Sequence, residues 1–180
     1  MREQHFTNLW APWRLSYVAA PTAPSADESC FICRGLEMQD DRKNLLVWRT
    51  SLCVVYLNRF PYNNGHLLVA PRSHKGKLDD LEIDEMTQLM QVLQRMIQAL
   101  DHLVQPDGYN VGLNLGRAAG AGLPGHLHWH AVPRWHGDTN FMPVISDTKV
   151  IPQSLDALYD LLVEQINHSS GNKQRQFQKD

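Results

Sequence analysis

Hydrophobic positions along the chain fall into two periods. From Leu45 the pattern is strand-like, and Leu52-Cys53-Val54-Val55-Tyr56-Leu57 is a β-branched and aromatic run. It stops at Asn58-Arg59-Phe60-Pro61-Tyr62-Asn63-Asn64-Gly65, a dense turn signal. His66-Leu67-Leu68-Val69-Ala70 reads as the next strand, ended by Pro71, and the two form an antiparallel pair. The period then changes. Leu81, Met86, Leu89, Met90, Leu93, Met96, Ile97 and Leu100 recur at three- and four-residue steps and predict a long helix, with Asp80 or Asp84 as its cap. Pro106-Asp107-Gly108 turns the chain into a strand, Tyr109 to Leu115. The stretch from Gly116 to Gly125 is rich in glycine and alanine, and its small residues permit close backbone approach to a ligand. A further strand, His126 to Val132, ends at Pro133, and a second helix is expected over Pro152–Ile166. Strands gathered around one long helix predict an α+β domain with an antiparallel sheet.

The remaining segments are polar or irregular. Residues 1–29 read as an irregular arm whose Trp10, Trp13 and Tyr17 anchor it on the core or on a second subunit. Beyond residue 166 the chain is polar and is expected to be a disordered tail. With 180 residues, 43% of them hydrophobic and 20% charged, one domain of ordinary size is expected. The net charge of −2 argues against a nucleic-acid or membrane-surface binder, both of which present a basic face. Arg14 and Pro12 interrupt the only apolar stretch near the N-terminus, so neither a secretory signal nor a membrane span is expected. A cytosolic location follows, and there the three cysteines would be reduced.

His126-Leu127-His128-Trp129-His130-Ala131-Val132 carries the chemistry. On a strand, alternate side chains share a face, which puts the three imidazoles on one side, about 6.5–7 Å apart between next neighbours. Leu127, Trp129 and Ala131 then point to the core. Three histidines on one face repel when charged and need partners when buried, so a purely structural role is costly. Two chemistries use such a face: direct metal ligation, or one histidine as a nucleophile oriented by its neighbours.

This run resembles the His-φ-His-φ-His-φ-φ signature of the histidine-triad (HIT) superfamily, where φ is apolar. The likeness extends through Leu57-Asn58, Gly65-His66-Leu67-Leu68-Val69-Ala70-Pro71 and Asn110 to Gly116. More narrowly, the chain is similar to the bacterial branch that contains diadenosine tetraphosphate phosphorylase. It shares Leu9 to Arg14, Pro61 to His66, Pro133-Arg134-Trp135, Gly137 to Phe141 and Lys149 to Gln153, so the resemblance covers Leu9 to about Leu162.

The resemblance implies a HIT-like fold with about five antiparallel strands, one long helix and one C-terminal helix. It frames the chain as an arm (1–29), a HIT domain (30–166) with a zinc knuckle at its start, and a tail (167–180). It implies that His128 attacks a nucleotide α-phosphorus to form a nucleotidyl-imidazole, with His130 and His66 as donors beside the phosphate. The loop residues Gly120, Ala121 and Gly122 would bind phosphate through backbone N–H groups. Asn58 and Asn114 match ribose and phosphate contacts, or else cap turns. Trp135 would stack on a base or cover a dimer interface.

Many family members carry Gln, Ser or Thr just before the triad. Here Gly120-Ala121-Gly122-Leu123-Pro124-Gly125 has none, which leaves phosphate or water open as the second-step acceptor. Cys30-Phe31-Ile32-Cys33 lacks a thioredoxin-like context, and the resemblance implies a structural zinc on Cys30, Cys33, His74 and His126. Cys53 reads as core, His5, His102 and His168 as solvated, and His136 as a loop residue. No organic cofactor is implied. The expected partners are a nucleotide, with diadenosine tetraphosphate as first candidate, and a second copy of the chain. Three rival readings are a triad-bound catalytic zinc, a hydrolase of nucleoside phosphoramidates or other nucleotide conjugates, and a nucleotide-binding scaffold without activity.

Overall fold

A computed structural model describes residues 30–146 and 150–176. The arm 1–29, with its aromatic anchors, lies outside the described residues, as do positions 147–149 and 177–180. Five strands form one antiparallel sheet: β1 (Leu46–Arg49), β2 (Cys53–Leu57), β3 (Leu67–Pro71), β4 (Gly108–Leu113) and β5 (Trp129–Arg134), in the order β1-β2-β3-β5-β4. Two short helices, α1 (Phe31–Glu37) and α2 (Asp41–Asn44), precede the sheet. The long α3 (Ile83–Val104) follows β3, a short α4 (Met142–Ser146) follows β5, and α5 (Leu155–Gln176) closes the described chain.

Period two decides which side of the sheet each residue serves. Cys53, Val55 and Leu57 of β2, Leu67 and Val69 of β3, and Leu127 and Ala131 near β5 meet Leu89, Val92, Met96 and Leu100 of α3 and Leu158, Leu162 and Ile166 of α5. The alternate positions, Val54, Tyr56, Leu68 and Ala70, meet α1 through Cys30 and Ile32 in a smaller second core. Because helices cover both faces, β2 and β3 are buried at every position. α1 is held there by its backbone. Tyr56 donates to the Ile32 carbonyl (2.8 Å), and Arg49 donates to the Gly35 (3.0 Å), Leu36 (3.0 Å) and Met38 (3.2 Å) carbonyls that the end of α1 leaves open.

Several local expectations are corrected. α3 begins at Ile83 and is capped by Glu82 and Glu85 in a capping box, not by Asp80 or Asp84; Asp80 belongs to a 3₁₀ turn, Leu78–Asp80. Long-range partners draw Glu85 in, since it accepts from Ser73 Oγ (2.5 Å) and Lys75 Nζ (2.7 Å) as well as from the Glu82 amide (2.9 Å). Met86, Met90 and Leu161 face solvent at 40%, 46% and 39% exposure, on the rim of their helical stripes. α5 continues past Ile166 to Gln176, because extending a docked helix is far easier than starting one.

β5 starts at Trp129 rather than His126. Its ladder with β3 covers only Leu67↔Ala131, Leu68↔His130 and Val69↔Trp129. Ahead of Trp129 the segment bonds instead to the loop after β3, where the Leu127 amide donates to the Lys75 carbonyl at 2.7 Å. The histidine run thus begins outside the regular sheet and ends within it.

Candidate active site

The backbone fixes the proton of each triad histidine. A carbonyl only accepts, so the 2.8 Å contact between His128 Nδ1 and the His126 carbonyl places the His128 proton on Nδ1 and leaves the Nε2 lone pair bare. By the same reasoning, His126 Nε2 donates to the Pro71 carbonyl at 2.9 Å, and its bare Nδ1 faces Cys30 Sγ at 3.3 Å and Cys33 Sγ at 3.5 Å.

A backbone amide only donates, and it sets the third tautomer. The Tyr62 amide donates to His66 Nδ1 at 3.0 Å, beside Asn58 Nδ2 at 3.2 Å. The His66 proton therefore sits on Nε2, which donates to His130 Nδ1 at 2.9 Å. That leaves the His130 proton on Nε2, a buried nitrogen with no hydrogen-bond partner among the described residues. Side by side, with ring centroids 5.1 Å apart, the chain presents a nucleophilic lone pair on His128 and an unspent N–H on His130. Burial lowers the His128 imidazole below its ordinary value, and burial with the neighbouring His128 brings His130 down to about 4. Both rings are neutral at pH 7, as the tautomers require.

The turn before β3 holds His66 rigidly. Asn58 Oδ1 accepts from the Phe60 amide (2.9 Å), and buried Asn63 donates to the Pro133 carbonyl (3.1 Å) and to Asp138 Oδ2 (2.8 Å). Gly65 sits at φ +76, and a Cβ there would lie 3.0 Å from Leu100 Cδ2 and 3.1 Å from Pro133 Cγ. Asn58 thus both shapes the turn and touches His66. A cavity of about 250 Å³ adjoins it, lined by Phe31, Arg34, Tyr56, Phe60 and Leu68 among others. Neither it nor a larger cleft, about 820 Å³ around Trp48 and α3 and rich in glutamines, is lined by a triad residue, but the smaller cavity includes Asn58, which contacts His66.

Other expected contacts fall differently. Asn114 Nδ2 reaches the Gly120 carbonyl at 3.5 Å and so braces the glycine loop. In that loop the amides of Ala119, Gly120 and Ala121 close turns onto Gly116 and Arg117, so Gly120 and Ala121 do not offer free N–H groups to a phosphate. Gly116 and Gly120 supply the positive φ angles those turns need. The Gly122 and Leu123 amides have no partner among the described residues. Trp135 follows β5, five residues or about 16 Å along the strand from His130. Its indole donates to the Gln105 (3.1 Å) and Val104 (3.3 Å) carbonyls and caps α3 rather than joining the triad.

A second cluster stands behind the triad. Cys30, the N-cap of α1, Cys33 in its first turn, His74 after β3 and His126 have ligand atoms all within 4.8 Å of one another. Cys33 Sγ lies 3.2 Å from His74 Nδ1. A tetrahedral ion with bonds of 2.0–2.3 Å needs ligand–ligand edges of about 3.3–3.8 Å, which the 3.2–3.5 Å sulfur–nitrogen contacts approach, and two thiols with two imidazoles form a donor set that suits zinc. His126 is shared between the motifs. His128 and His130 are not in this cluster, and their free nitrogens belong to a different group, so the triad does not converge on one ion.

Residues 39–137 match the HIT domain family. The chain belongs to this family. Its similarity to the AP-4-A phosphorylase of Mycobacterium tuberculosis is 42% identity over 151 residues, 82% of this chain and 77% of that protein. Among solved structures, a histidine triad nucleotide-binding protein from Sulfolobus tokodaii shares the HIT fold with a TM-score of 0.62 and 24% identity, over 77% of this chain and 93% of that one. A zinc-bound histidine triad protein from Mycobacterium smegmatis does so with a TM-score of 0.58 and 23% identity, over 71% and 87%. The HIT domain as matched begins after Cys30 and Cys33, so the cysteine pair adds a part that the 39–137 match leaves out.

Proposed function

We propose that the chain is a nucleotidyl-transfer enzyme that cleaves dinucleoside polyphosphates, diadenosine tetraphosphate first, through a nucleotidyl-His128 intermediate. The observation that carries this reading is the bare Nε2 of His128 beside the unspent N–H of His130. In the first step His128 Nε2 attacks the α-phosphorus, a P–N bond forms, and the P–O bond to the rest of the polyphosphate breaks. His130 donates to an oxygen of the reacting phosphate while His66 holds its tautomer. In the second step phosphate or water attacks the same phosphorus, the P–N bond breaks, and the lone pair returns to His128. The 42% identity to a protein named AP-4-A phosphorylase favours phosphate as acceptor. One nucleoside would occupy the cavity lined by Phe31, Tyr56 and Leu68, with Asn58 at its edge near the ribose. Product analysis tests this: ADP plus ATP formed only with inorganic phosphate supports a phosphorylase, AMP plus ATP in plain buffer a hydrolase, and no cleavage overturns the reading.

The pH profile of kcat/KM is expected to be flat through neutrality and to fall on the acid side only below 6.5, the ordinary imidazole value. Protonation removes the attacking lone pair, and burial holds His128 neutral to lower pH. An acid limb centred at or above 6.5 contradicts this assignment.

Cys30, Cys33, His74 and His126 would hold a structural zinc, whose chemistry is to cross-link α1 and the loop after β3 to the catalytic segment. A two-fold homodimer would join two sheets at β4, an edge strand that exposes Val111 (45%), with Leu115 (48%) just beyond its end. Val111→Arg is expected to halve the mass seen in sedimentation velocity; a wild-type monomer would refute the dimer. A cytosolic location fits three cysteines none of which forms a disulfide among the described residues.

A further inference from the structure

The turn between β2 and β3 presents two exposed aromatic rings, and only one of them serves the cavity beside Asn58. Phe60 lines that cavity, whereas Tyr62 does not. The Tyr62 ring lies instead over His66 and His130. It is parallel to His130 within 16° at a centroid distance of 5.8 Å, and 4.7 Å from His66. Even so, 54% of Tyr62 remains exposed, an unusual position for a large ring packed against a buried His66 and a half-buried His130. Its placement is built in. The Asn58 and Asn63 side chains pin the turn on either side, and the Tyr62 amide is itself committed to His66 Nδ1. A ring held this way loses little freedom when a ligand stacks on it.

We infer that Tyr62 is the stacking platform of a second nucleoside subsite, which takes the base of the departing nucleotide. The inference rests on the nucleotidyl-transfer reading above and extends it to the other half of the substrate. With the α-phosphorus at His128 and one nucleoside in the cavity, the rest of the polyphosphate passes His130, whose N–H donates to it. Tyr62 flanks that exit, with one ring face on His130 and the rest open. Every base has a π-face, so such a platform distinguishes a substrate with a second base from one without it, whatever that base is.

The test compares two probes with the same phosphate chain, diadenosine tetraphosphate and adenosine 5′-tetraphosphate. Binding is measured by calorimetry in a His128→Ala background, which prevents turnover. With Tyr62 in place the dinucleotide is expected to bind about 5- to 150-fold more tightly, the range that base-on-aromatic stacking supplies. Tyr62→Leu is expected to abolish that difference while leaving the affinity for adenosine tetraphosphate unchanged, and Tyr62→Phe to preserve the difference. Equal binding of the two probes with Tyr62 in place overturns the subsite and leaves the first nucleoside site standing. An equal loss for both probes in Tyr62→Leu also overturns it, by assigning the ring to support of His130 alone. Binding of neither probe overturns the nucleotide reading and the subsite together.

Discussion

His128→Ala is expected to lower kcat on diadenosine tetraphosphate by a factor on the order of 10⁵–10⁶, the scale of losing a covalent nucleophile. No neighbour can replace it. His126 has its free nitrogen among the thiols of Cys30 and Cys33, and the free nitrogen of His130 carries a proton rather than a lone pair. His130→Ala removes a donor instead of the nucleophile and is expected to cost a smaller factor, about 10²–10⁴. The fold should survive, because His128 contributes one side-chain bond, to the His126 carbonyl, and no part of either hydrophobic cluster. The checks are steady-state kinetics with a thermal melt of each variant, and added imidazole, which should restore part of the activity of His128→Ala alone. Similar losses in the two variants would contradict the division of labour.

Loss of the proposed zinc is the second large effect expected. Stripping zinc, or replacing Cys30 by serine, would leave a partly buried polar cluster between α1 and the loop after β3 without its cross-link. Structural zinc contributes folding energy outright, and a loss of about 4 kcal/mol in a chain of this size lowers Tm by roughly 8–16 °C. Activity is expected to fall as well, through position rather than charge. The His126 carbonyl holds the His128 proton, so a displaced His126 frees the nucleophile to rotate. Cobalt or cadmium in place of zinc should keep kcat within a few-fold of wild type, since an ion held by these four residues would touch neither His128 nor His130. The measurements are elemental analysis, expected at one zinc per chain, and melts with and without chelator. A chain that melts at the same temperature without metal would refute the structural assignment.

Much of the fold was legible because it rests on short-range periodicity. The continuous apolar runs 52–57 and 66–70 reported strands that are buried on both faces, and the helical stripe of 81–100 reported a face that is largely buried. The histidine run was legible for the same reason, since Leu127, Trp129 and Ala131 do face the helices while His128 and His130 stand together on the other side. What escaped depends on contacts between distant segments. The capping of α3 by Glu82 and Glu85 follows from Ser73 and Lys75, ten and more residues upstream of Glu85. The tautomer of His130 follows from a main-chain N–H at Tyr62, which no residue type announces. Gly120 and Ala121 gave a phosphate-loop composition, yet their amides are spent on turns. Trp135 was legible as a large ring just beyond the triad strand, but its indole N–H is drawn to the open carbonyls at the end of α3.

The central claim is that the nucleotide is carried on His128. Its most direct test is to mix the enzyme with diadenosine tetraphosphate radiolabelled at the α-phosphates, without inorganic phosphate, quench within one turnover, and map the labelled peptide. The account predicts one nucleotidyl group per active site, lost in acid and stable in base as a phosphoramidate should be, on the peptide containing His128. Label on any other residue, or cleavage of the substrate with no labelled protein at any time point, would contradict it.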